Sequence, residues 1–297
     1  MITISAATSD NGVELLHLKL TAAVVDQVVA FASLITGHDK ARVFFNQAAH
    51  PNEIKTSRQM DGDTGAIPEA VVLRGDGGFY ADVSIRGSSD FLNLTYAGKD
   101  MTLPLLRSRP DLLAGHDCIL TTLNQALSVP VDDRDTALNP TADPDYICTW
   151  LNHHSRHHGV TAALFLNRLG PQNAGADFAD DLCMALDEKP VKGLRRIIVL
   201  DVPAPTGRMN EGDERHLIYA PEAPGKNRMT RPVVDPWRSV FGDEILLEFL
   251  RQAFFADAAG VTYLDMSDWL APPPSGGGTV FDAARRAQPD PLVVLNG

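Results

Sequence analysis

The sequence has only three cysteines in 297 residues, and they form neither a C-x-x-C pair nor a zinc-binding spacing. Cys118, Cys148 and Cys183 are too scattered for a disulfide framework, which favours a reduced protein. No uncharged apolar run reaches the roughly 18 residues of a membrane span. The first residues also lack the basic start and apolar run of a secretion signal. These absences predict a cytoplasmic protein that is not an integral membrane protein.

The sequence also has little positive charge. Lysine and arginine number 26 against 38 aspartates and glutamates, so the formal net charge is −12. Such a chain repels phosphate backbones and anionic membranes at long range, which argues against a nucleic-acid partner. The remaining composition, with 44% hydrophobic and 22% charged residues, is that of an ordinary globular protein.

Three common catalytic or nucleotide-binding motifs are missing as well. The sequence has no Gly-x-Ser-x-Gly elbow, which a serine hydrolase of the α/β class would need. Its glycines form no Gly-x-Gly-x-x-Gly fingerprint for a dinucleotide, and no phosphate-loop motif surrounds Lys226. Function must therefore be inferred from the order of the elements and the polar residues that they present.

Residues 1–110 have the pattern of a small α+β domain. Apolar residues within 21–36 recur at helical spacing and predict an amphipathic helix. From residue 70 onward, short β-type runs joined by Gly-containing turns predict an antiparallel meander. Its strands are expected at Ala70–Arg74, Phe79–Arg86, Phe91–Tyr96 and Met101–Leu106.

Residues 115–297 alternate strand-type and helix-type segments. This alternation predicts an α/β fold with a doubly wound, mostly parallel sheet. The clearest helix covers 143–159, with Asp143 as N-cap, Pro144 in the first helical position and Gly159 past the end. The expected strands are Asp117–Asn124, Val160–Asn167, Arg195–Asp201, Val261–Asp265 and Pro291–Asn296, and the other helices are Asp177–Glu188, Ser239–Ala259 and Thr279–Ala287.

Ligands of such sheets bind beyond the carboxyl ends of the strands, which selects a few polar residues. Asn124, Asn167 and Asp201 end three of the predicted strands. Asp265 and Asp268 follow a fourth strand and can share a Mn²⁺ or Mg²⁺ ion or bind sugar hydroxyls. An aspartate in such a place can equally cap a loop or a helix, so spacing alone leaves its role open.

A basic loop and a group of histidines are further candidates. Lys226 and Arg228 stand beside Gly225 in a long loop, where they can contact a pyrophosphate or remain solvated. The four histidines within 153–158 lie on two faces of the predicted helix, and no glutamate separates them as in a zinc-protease motif. Packing and charge complementarity at the helix C-terminus are therefore favoured over a zinc site.

Two segments resemble a known enzyme class. The run Asp145-Tyr-Ile-Cys-Thr-Trp-Leu-Asn-His-His-Ser-Arg-His-His-Gly159, followed by Leu164-Phe-Leu-Asn-Arg168, resembles a motif of bacterial family-2-like glycosyltransferases and the related family-92 enzymes. The run Val261-Thr-Tyr-Leu-Asp-Met-Ser-Asp-Trp-Leu270 resembles their acidic segment. The resemblance covers residues 115–297 and implies a GT-A fold, a nucleotide diphosphosugar donor and a glycan or other acceptor.

Carried over by position, the resemblance assigns a metal site for Mn²⁺ or Mg²⁺. Asp265 takes the place of the first metal-site aspartate, and Asp268 stands at the following glutamate. Ser267 occupies the place of the second aspartate, which removes one negative ligand and weakens the expected metal site. The family chain usually continues beyond the point where this one stops. The resemblance thus implies that the chain is shortened or lacks the catalytic base, which stays unknown.

The resemblance also assigns a nucleotide site. Asn124 lies in the segment that matches the family's first strand, and Asn167 or Asp201 is expected at the base or ribose. Lys226 or Arg228 is expected to neutralise the leaving group. Two other interpretations stay open. One is a non-catalytic glycan-binding, nucleotide-binding or assembly protein, and the other is an unrelated α/β enzyme that acts on phosphorylated metabolites.

Overall fold

The structure, a computed structural model, describes residues 3–35, 40–46, 49–56, 70–72, 78–85, 90–123, 143–168, 177–202, 204–207, 217–219, 224–234, 240–275 and 277–286, together with Glu222 and Pro236. The described strands are β1 (Thr3–Thr8), β2 (Glu14–Lys19), β3 (Ala23–Val25), β4 (Val28–Leu34), β5 (Lys40–Phe45), β6 (Ile54–Thr56), β7 (Ala70–Val72), β8 (Phe79–Ser84), β9 (Phe91–Tyr96), β10 (Lys99–Arg107), β11 (Asp117–Leu123), β12 (Ala162–Asn167), β13 (Arg196–Asp201) and β14 (Gly260–Tyr263). The described α-helices are α1 (Pro144–His158), α2 (Asp177–Glu188), α3 (Val240–Ala253) and α4 (Val280–Arg286).

The chain forms two compact units, and each is built from separated segments. The parallel-sheet unit contains Thr3–Lys19, Pro110–Asp201 and Phe254–Gly297. The β-rich unit contains Leu20–Arg109 and Val202–Ala253. Strands β1 and β2 thus lie in the same unit as residues about a hundred positions later in the chain. Hydrophobic periodicity cannot predict such long-range pairing.

The parallel-sheet unit contains a six-stranded mixed sheet. Its strand order is β1-β2-β13-β12-β11-β14. Strand β1 pairs antiparallel with β2, whereas every other neighbouring pair is parallel. The predicted α/β class with parallel strands is therefore confirmed.

The core of this unit lies between the sheet and its helices. Alternate strand residues, among them Ile119, Phe165 and Val199, form one buried cluster with Trp150 of α1 and Leu182 of α2. Successive residues of a strand point to opposite faces, so these three share a face. Helices α1 and α2 therefore pack on the same face of the sheet.

Helix α1 begins and ends where its sequence predicts. The side chain of Asp143 accepts a hydrogen bond from the backbone N–H of Asp145 at 3.0 Å. Pro144 occupies the first turn, and Gly159 ends the helix with a φ of 73° in the left-handed region. Most strands and helices predicted for 115–286 are also found, with ends shifted by a few residues. The strand predicted at Pro291–Asn296 lies outside the described residues.

The β-rich unit contains an eight-stranded sheet in the order β6-β9-β10-β4-β5-β8-β7, with β3 paired to β4. Strands β7 and β8 pair as predicted, and so do β9 and β10. The single meander is wrong, because β4 and β5 lie between β10 and β8 and β10 pairs with β4 in parallel. Helix α3 contributes Phe249, whose ring lies 5.2 Å from Phe31 and 5.5 Å from Phe44, measured between centroids.

The helix predicted over 21–36 is wrong, because this segment forms the hairpin of β3 and β4. Val25 pairs with Val28 across a two-residue turn, and Asp26 in that turn has a φ of 54°. The doublets Val24-Val25 and Val28-Val29 have helical spacing, but a tight hairpin produces the same spacing. The β-branched side chains favour the strands.

None of the helices in the described ranges has both the length and the apolar character that a transmembrane helix requires.

Candidate functional site

The candidate site lies at the carboxyl edge of the parallel-sheet unit, where β2, β13, β12, β11 and β14 end. The register aligns Lys19 with Asp201, Asp201 with Asn167, and Asn167 with Leu123. Parallel strands bring these ends to one edge, and ligands of α/β sheets bind there. Two predicted site residues, Asn167 and Asp201, are thus direct neighbours.

Asn167, Asp201 and His17 form a hydrogen-bonded cluster at this edge. The side-chain amide of Asn167 donates to Oδ1 of Asp201 at 2.7 Å. Nε2 of His17 lies 2.7 Å from Oδ2 of the same carboxylate. Both Asn167 and Asp201 are buried. The two contacts fix the plane of the carboxylate, and each of its oxygens can accept one further hydrogen bond.

The charge of this cluster depends on His17. Its hydrogen bond to Asp201 raises the pKa of His17 above the ordinary value, and burial opposes this only in part. A protonated His17 would balance the buried Asp201 carboxylate. The cluster therefore holds the Asp201 carboxylate, whose side chain is 12% exposed, in a fixed orientation.

The second part of the site is a tight turn after β14, which we call the acidic turn (residues 264–270). The N–H of Asp268 donates to the carbonyl oxygen of Asp265 at 2.9 Å, and the N–H of Asp265 donates to Oδ2 of Asp268 at 3.2 Å. Both the N–H and the hydroxyl of Ser267 donate to Oδ1 of Asp265 at 3.0 Å. Asp265 and Asp268 are exposed. One oxygen of each carboxylate thus shapes the turn.

Helix α1 holds the acidic turn through a row of side chains on one face. The hydroxyl of Tyr146 donates to the carbonyl oxygen of Met266 at 2.9 Å, and the indole N–H of Trp150 donates to that of Asp268 at 2.8 Å. Nε2 of His153 lies 2.8 Å from the carbonyl oxygen of Leu270. The two segments that resemble glycosyltransferases therefore contact each other directly.

His154 completes this row as a neutral histidine. Its Nδ1 lies 2.9 Å from the carbonyl oxygen of Trp150, and its Nε2 lies 3.3 Å from the N–H of Leu270. A carbonyl must receive a proton and an N–H must give one, so Nδ1 carries the hydrogen and Nε2 accepts. Burial lowers the pKa of His154 to about 4. These contacts explain His153 and His154 as part of the packing of α1 on the acidic turn.

Each carboxylate of the acidic turn has one oxygen that the turn itself does not use. Within the described part of the chain, no group donates a hydrogen bond to Oδ2 of Asp265 or Oδ1 of Asp268. Mg²⁺ and similar ions are often held by one or two carboxylates plus substrate phosphates. No cluster of three or more His, Cys, Asp or Glu side chains that could hold a metal occurs among the described residues.

The remaining predicted residues are placed differently. Lys226 and Arg228 are exposed and form a short 3-10 turn after Gly225, whose φ is 71°. They belong to the β-rich unit, whereas Asp265 and Asp268 belong to the parallel-sheet unit. Their role at a pyrophosphate stays a prediction. Asn124 lies outside the described residues.

Sequence reasoning missed His17, Tyr146 and Trp269 as parts of the site. His17 lies on β2, in a segment whose strands pair with residues far along the chain. Trp269 follows the acidic pair directly, and its indole N–H donates to the hydroxyl of Tyr146 at 3.2 Å. For Tyr146 and Trp269, the only signal in the sequence is their position within the two segments that resemble glycosyltransferases.

No protein-family model matches this sequence, and no curated protein is significantly similar to it. The case for a function therefore rests on the geometry at the carboxyl edge.

Proposed function

We propose that this protein is a glycosyltransferase of GT-A type that transfers a sugar from a nucleotide diphosphosugar to a glycan or another acceptor. One observation carries the proposal. Helix α1 fixes the backbone of the acidic turn at three carbonyl oxygens, through Tyr146, Trp150 and His153. This arrangement leaves the carboxylates of Asp265 and Asp268 exposed, beyond the end of a strand where ligands bind.

The nucleoside would bind at the neighbouring strand ends. The carboxylate of Asp201 is held in a fixed plane by Asn167 and His17, which prepares it to accept hydrogen bonds from a ribose or base. A carboxylate oriented in advance needs little reorganisation on binding, so its contacts can select a nucleoside. Because the chain is negatively charged overall, a local positive charge would favour the binding of a diphosphate.

Asp265 and Asp268 would hold a Mn²⁺ or Mg²⁺ ion. Such an ion would offset the charge of a diphosphate and so favour its departure. Ser267 adds no charge to the site, and it orients the Asp265 carboxylate through its N–H and hydroxyl instead.

The same turn gives an argument for the alternative, a non-catalytic glycan- or nucleotide-binding protein. Asp265 and Asp268 accept hydrogen bonds from the turn itself, a structural role that needs no metal. Metal dependence of nucleotide binding separates the two functions.

A thermal-shift screen with UDP, GDP, CMP and TDP, each with and without Mn²⁺, tests the proposal. At about 100 times its Kd, a nucleotide raises the free energy of unfolding by about 2.7 kcal/mol. We expect one nucleotide to stabilise the protein only with Mn²⁺, and Asp265→Asn to abolish this effect. Asp181→Asn removes an exposed carboxylate from α2 and serves as the matched control.

The outcomes separate the proposals clearly. Stabilisation by a nucleotide that needs no metal and persists in Asp265→Asn would favour the non-catalytic binding protein. No stabilisation by any nucleotide would reject the transferase.

A further inference from the structure

Trp269 is a large aromatic side chain that the fold holds at the surface. Trp269 is 43% exposed, although it lies in the acidic turn, which is hydrogen-bonded to α1. An exposed indole is costly in water unless a ligand covers it, and large exposed aromatics are enriched at binding sites.

Three residues of α1, Tyr146, His153 and His154, lie against this indole, and the His154 ring does so at a centroid distance of 6.1 Å and 32°. The indole N–H donates to the hydroxyl of Tyr146, and the Tyr146 ring meets it edge-to-face at a centroid distance of 6.1 Å. The ring of His153 approaches it at 5.0 Å and 70°. A side chain held in this way loses little conformational entropy when a ligand binds.

The hydrogen bonds around Trp269 leave a defined chemistry for its partner. The indole N–H is used by Tyr146, so a ligand would meet the exposed part of the ring rather than a hydrogen-bond donor. The face of an aromatic ring is electron-rich and attracts C–H hydrogens, which carry a small positive charge. Asp268, which directly precedes Trp269, is exposed, and a carboxylate can accept a hydrogen bond from a hydroxyl group.

We propose that Trp269 is the platform of a saccharide subsite, on which an uncharged pyranose ring of the acceptor stacks. A pyranose combines an apolar C–H face with hydroxyls at its rim, which matches an exposed indole next to an exposed carboxylate. The subsite deepens the proposed transferase function, on which its acceptor role rests. Saccharide binding itself does not require catalysis.

Fluorine NMR of the full chain labelled with fluorotryptophan tests this subsite. The chain has three tryptophans, and Trp269→Phe identifies the Trp269 resonance by its loss. Maltohexaose, cellohexaose, chitohexaose and mannohexaose serve as probes at millimolar concentrations. We expect at least one of them to shift the Trp269 resonance with saturation. The resonance of Trp150, which is buried, should stay in place and report an intact fold.

Three variants measure the contribution of the platform, with affinities followed by calorimetry. Trp269→Ala should weaken oligosaccharide binding roughly tenfold, because it removes the stacking surface. Trp269→Phe should retain most of the affinity, because it keeps an aromatic face. Tyr146→Phe should weaken binding severalfold while Trp269 remains, because the indole loses the hydroxyl that orients it.

Two results would overturn the subsite. One is the absence of a saturating shift at Trp269 with all four probes, and the other is equal affinity of wild type and Trp269→Ala. The nucleotide screen is read independently. Saccharide binding without nucleotide stabilisation would keep the subsite and reject the transferase, whereas the reverse pattern would reject the subsite alone.

Discussion

At the scale of single residues, two histidines of the site have opposite charge preferences. His17 contacts the carboxylate of Asp201, and this contact raises its pKa. His154 lies between a carbonyl oxygen and an N–H, and burial lowers its pKa to about 4. The protonated form of histidine is therefore favoured at the strand ends, and the neutral form is favoured under the acidic turn.

Proton NMR titration of His17 tests the first contact. In the wild type, the pKa of His17 should exceed the ordinary value of 6.5. Asp201→Asn should lower it, because the partner loses its charge. Since the folded state holds the proton more tightly, the contact stabilises the protein at low pH. This contribution is lost as the pH rises through the raised pKa. An unchanged pKa in Asp201→Asn would show that this hydrogen bond does not form.

Unfolding in urea at several pH values tests the second histidine. The unfolded chain protonates His154 near pH 6.5, whereas the folded chain keeps it neutral down to about pH 4. Stability should therefore fall as the pH drops through this window, by at most about 3 kcal/mol from this residue. His154→Gln cannot titrate and should lose less stability over the same window. Parallel curves for the two proteins across this window would contradict a neutral, buried His154.

Part of the site follows from the sequence and part does not. Asn167, Asp201 and Asp265 were predicted because each ends or follows a recognisable strand, and ligands of parallel sheets bind there. His17 could not be predicted, because its strand pairs with a segment that begins at Arg196. Long-range pairing of this kind leaves no periodic signal in the sequence.

At the scale of elements, α1 is the part that connects the sequence most directly to the site. Asp143 and Gly159 cap its two ends, and between them Tyr146, Trp150 and His153 face the acidic turn. The hairpin of β3 and β4 shows the opposite case. There, a valine pattern of helical spacing forms two strands, because its two-residue turn allows the same spacing.

Gly159→Ala tests the C-terminal cap of α1. Gly159 has a φ of 73°, a conformation in which alanine is strained. A Cβ added at this position would have no atom within 4 Å, so the strain of the backbone is the only expected penalty. We expect a loss of about 1 kcal/mol in the free energy of unfolding. Asn152→Ala, an exposed change within the same helix, should be neutral or slightly stabilising. Equal stability of Gly159→Ala and wild type in chemical denaturation would contradict the left-handed cap.

At the scale of the whole molecule, the two units interleave along the chain. The parallel-sheet unit needs Thr3–Lys19 as well as the segments after residue 110. Strand β2 pairs with β13 along its whole length, from Glu14 to Lys19. The α/β class of the residues after 110 can be predicted from the sequence, because strands and helices alternate there along the chain. That β1 and β2 belong to the same sheet cannot be predicted in this way, because it depends on pairing with distant residues.

A fragment of residues 110–297 tests this arrangement. It lacks β2, so β13 would present an unpaired and largely apolar edge, and His17 would be absent. We expect the fragment to aggregate or to unfold without cooperativity, as measured by sedimentation and by circular dichroism during heating. Co-expression with residues 1–109 supplies β2 and should improve its solubility. A soluble fragment with a cooperative transition would contradict the pairing of β2 with β13.

The central claim is that the acidic turn binds a divalent cation together with a nucleoside diphosphate. The most direct measurement is electron paramagnetic resonance of free Mn²⁺, titrated with protein in the presence of the nucleotide selected by the thermal-shift screen. We predict that wild type and Asp181→Asn remove the free Mn²⁺ signal at one ion per chain, and that Asp265→Asn does not. An undiminished signal with wild type, or equal removal by Asp265→Asn, would contradict the claim.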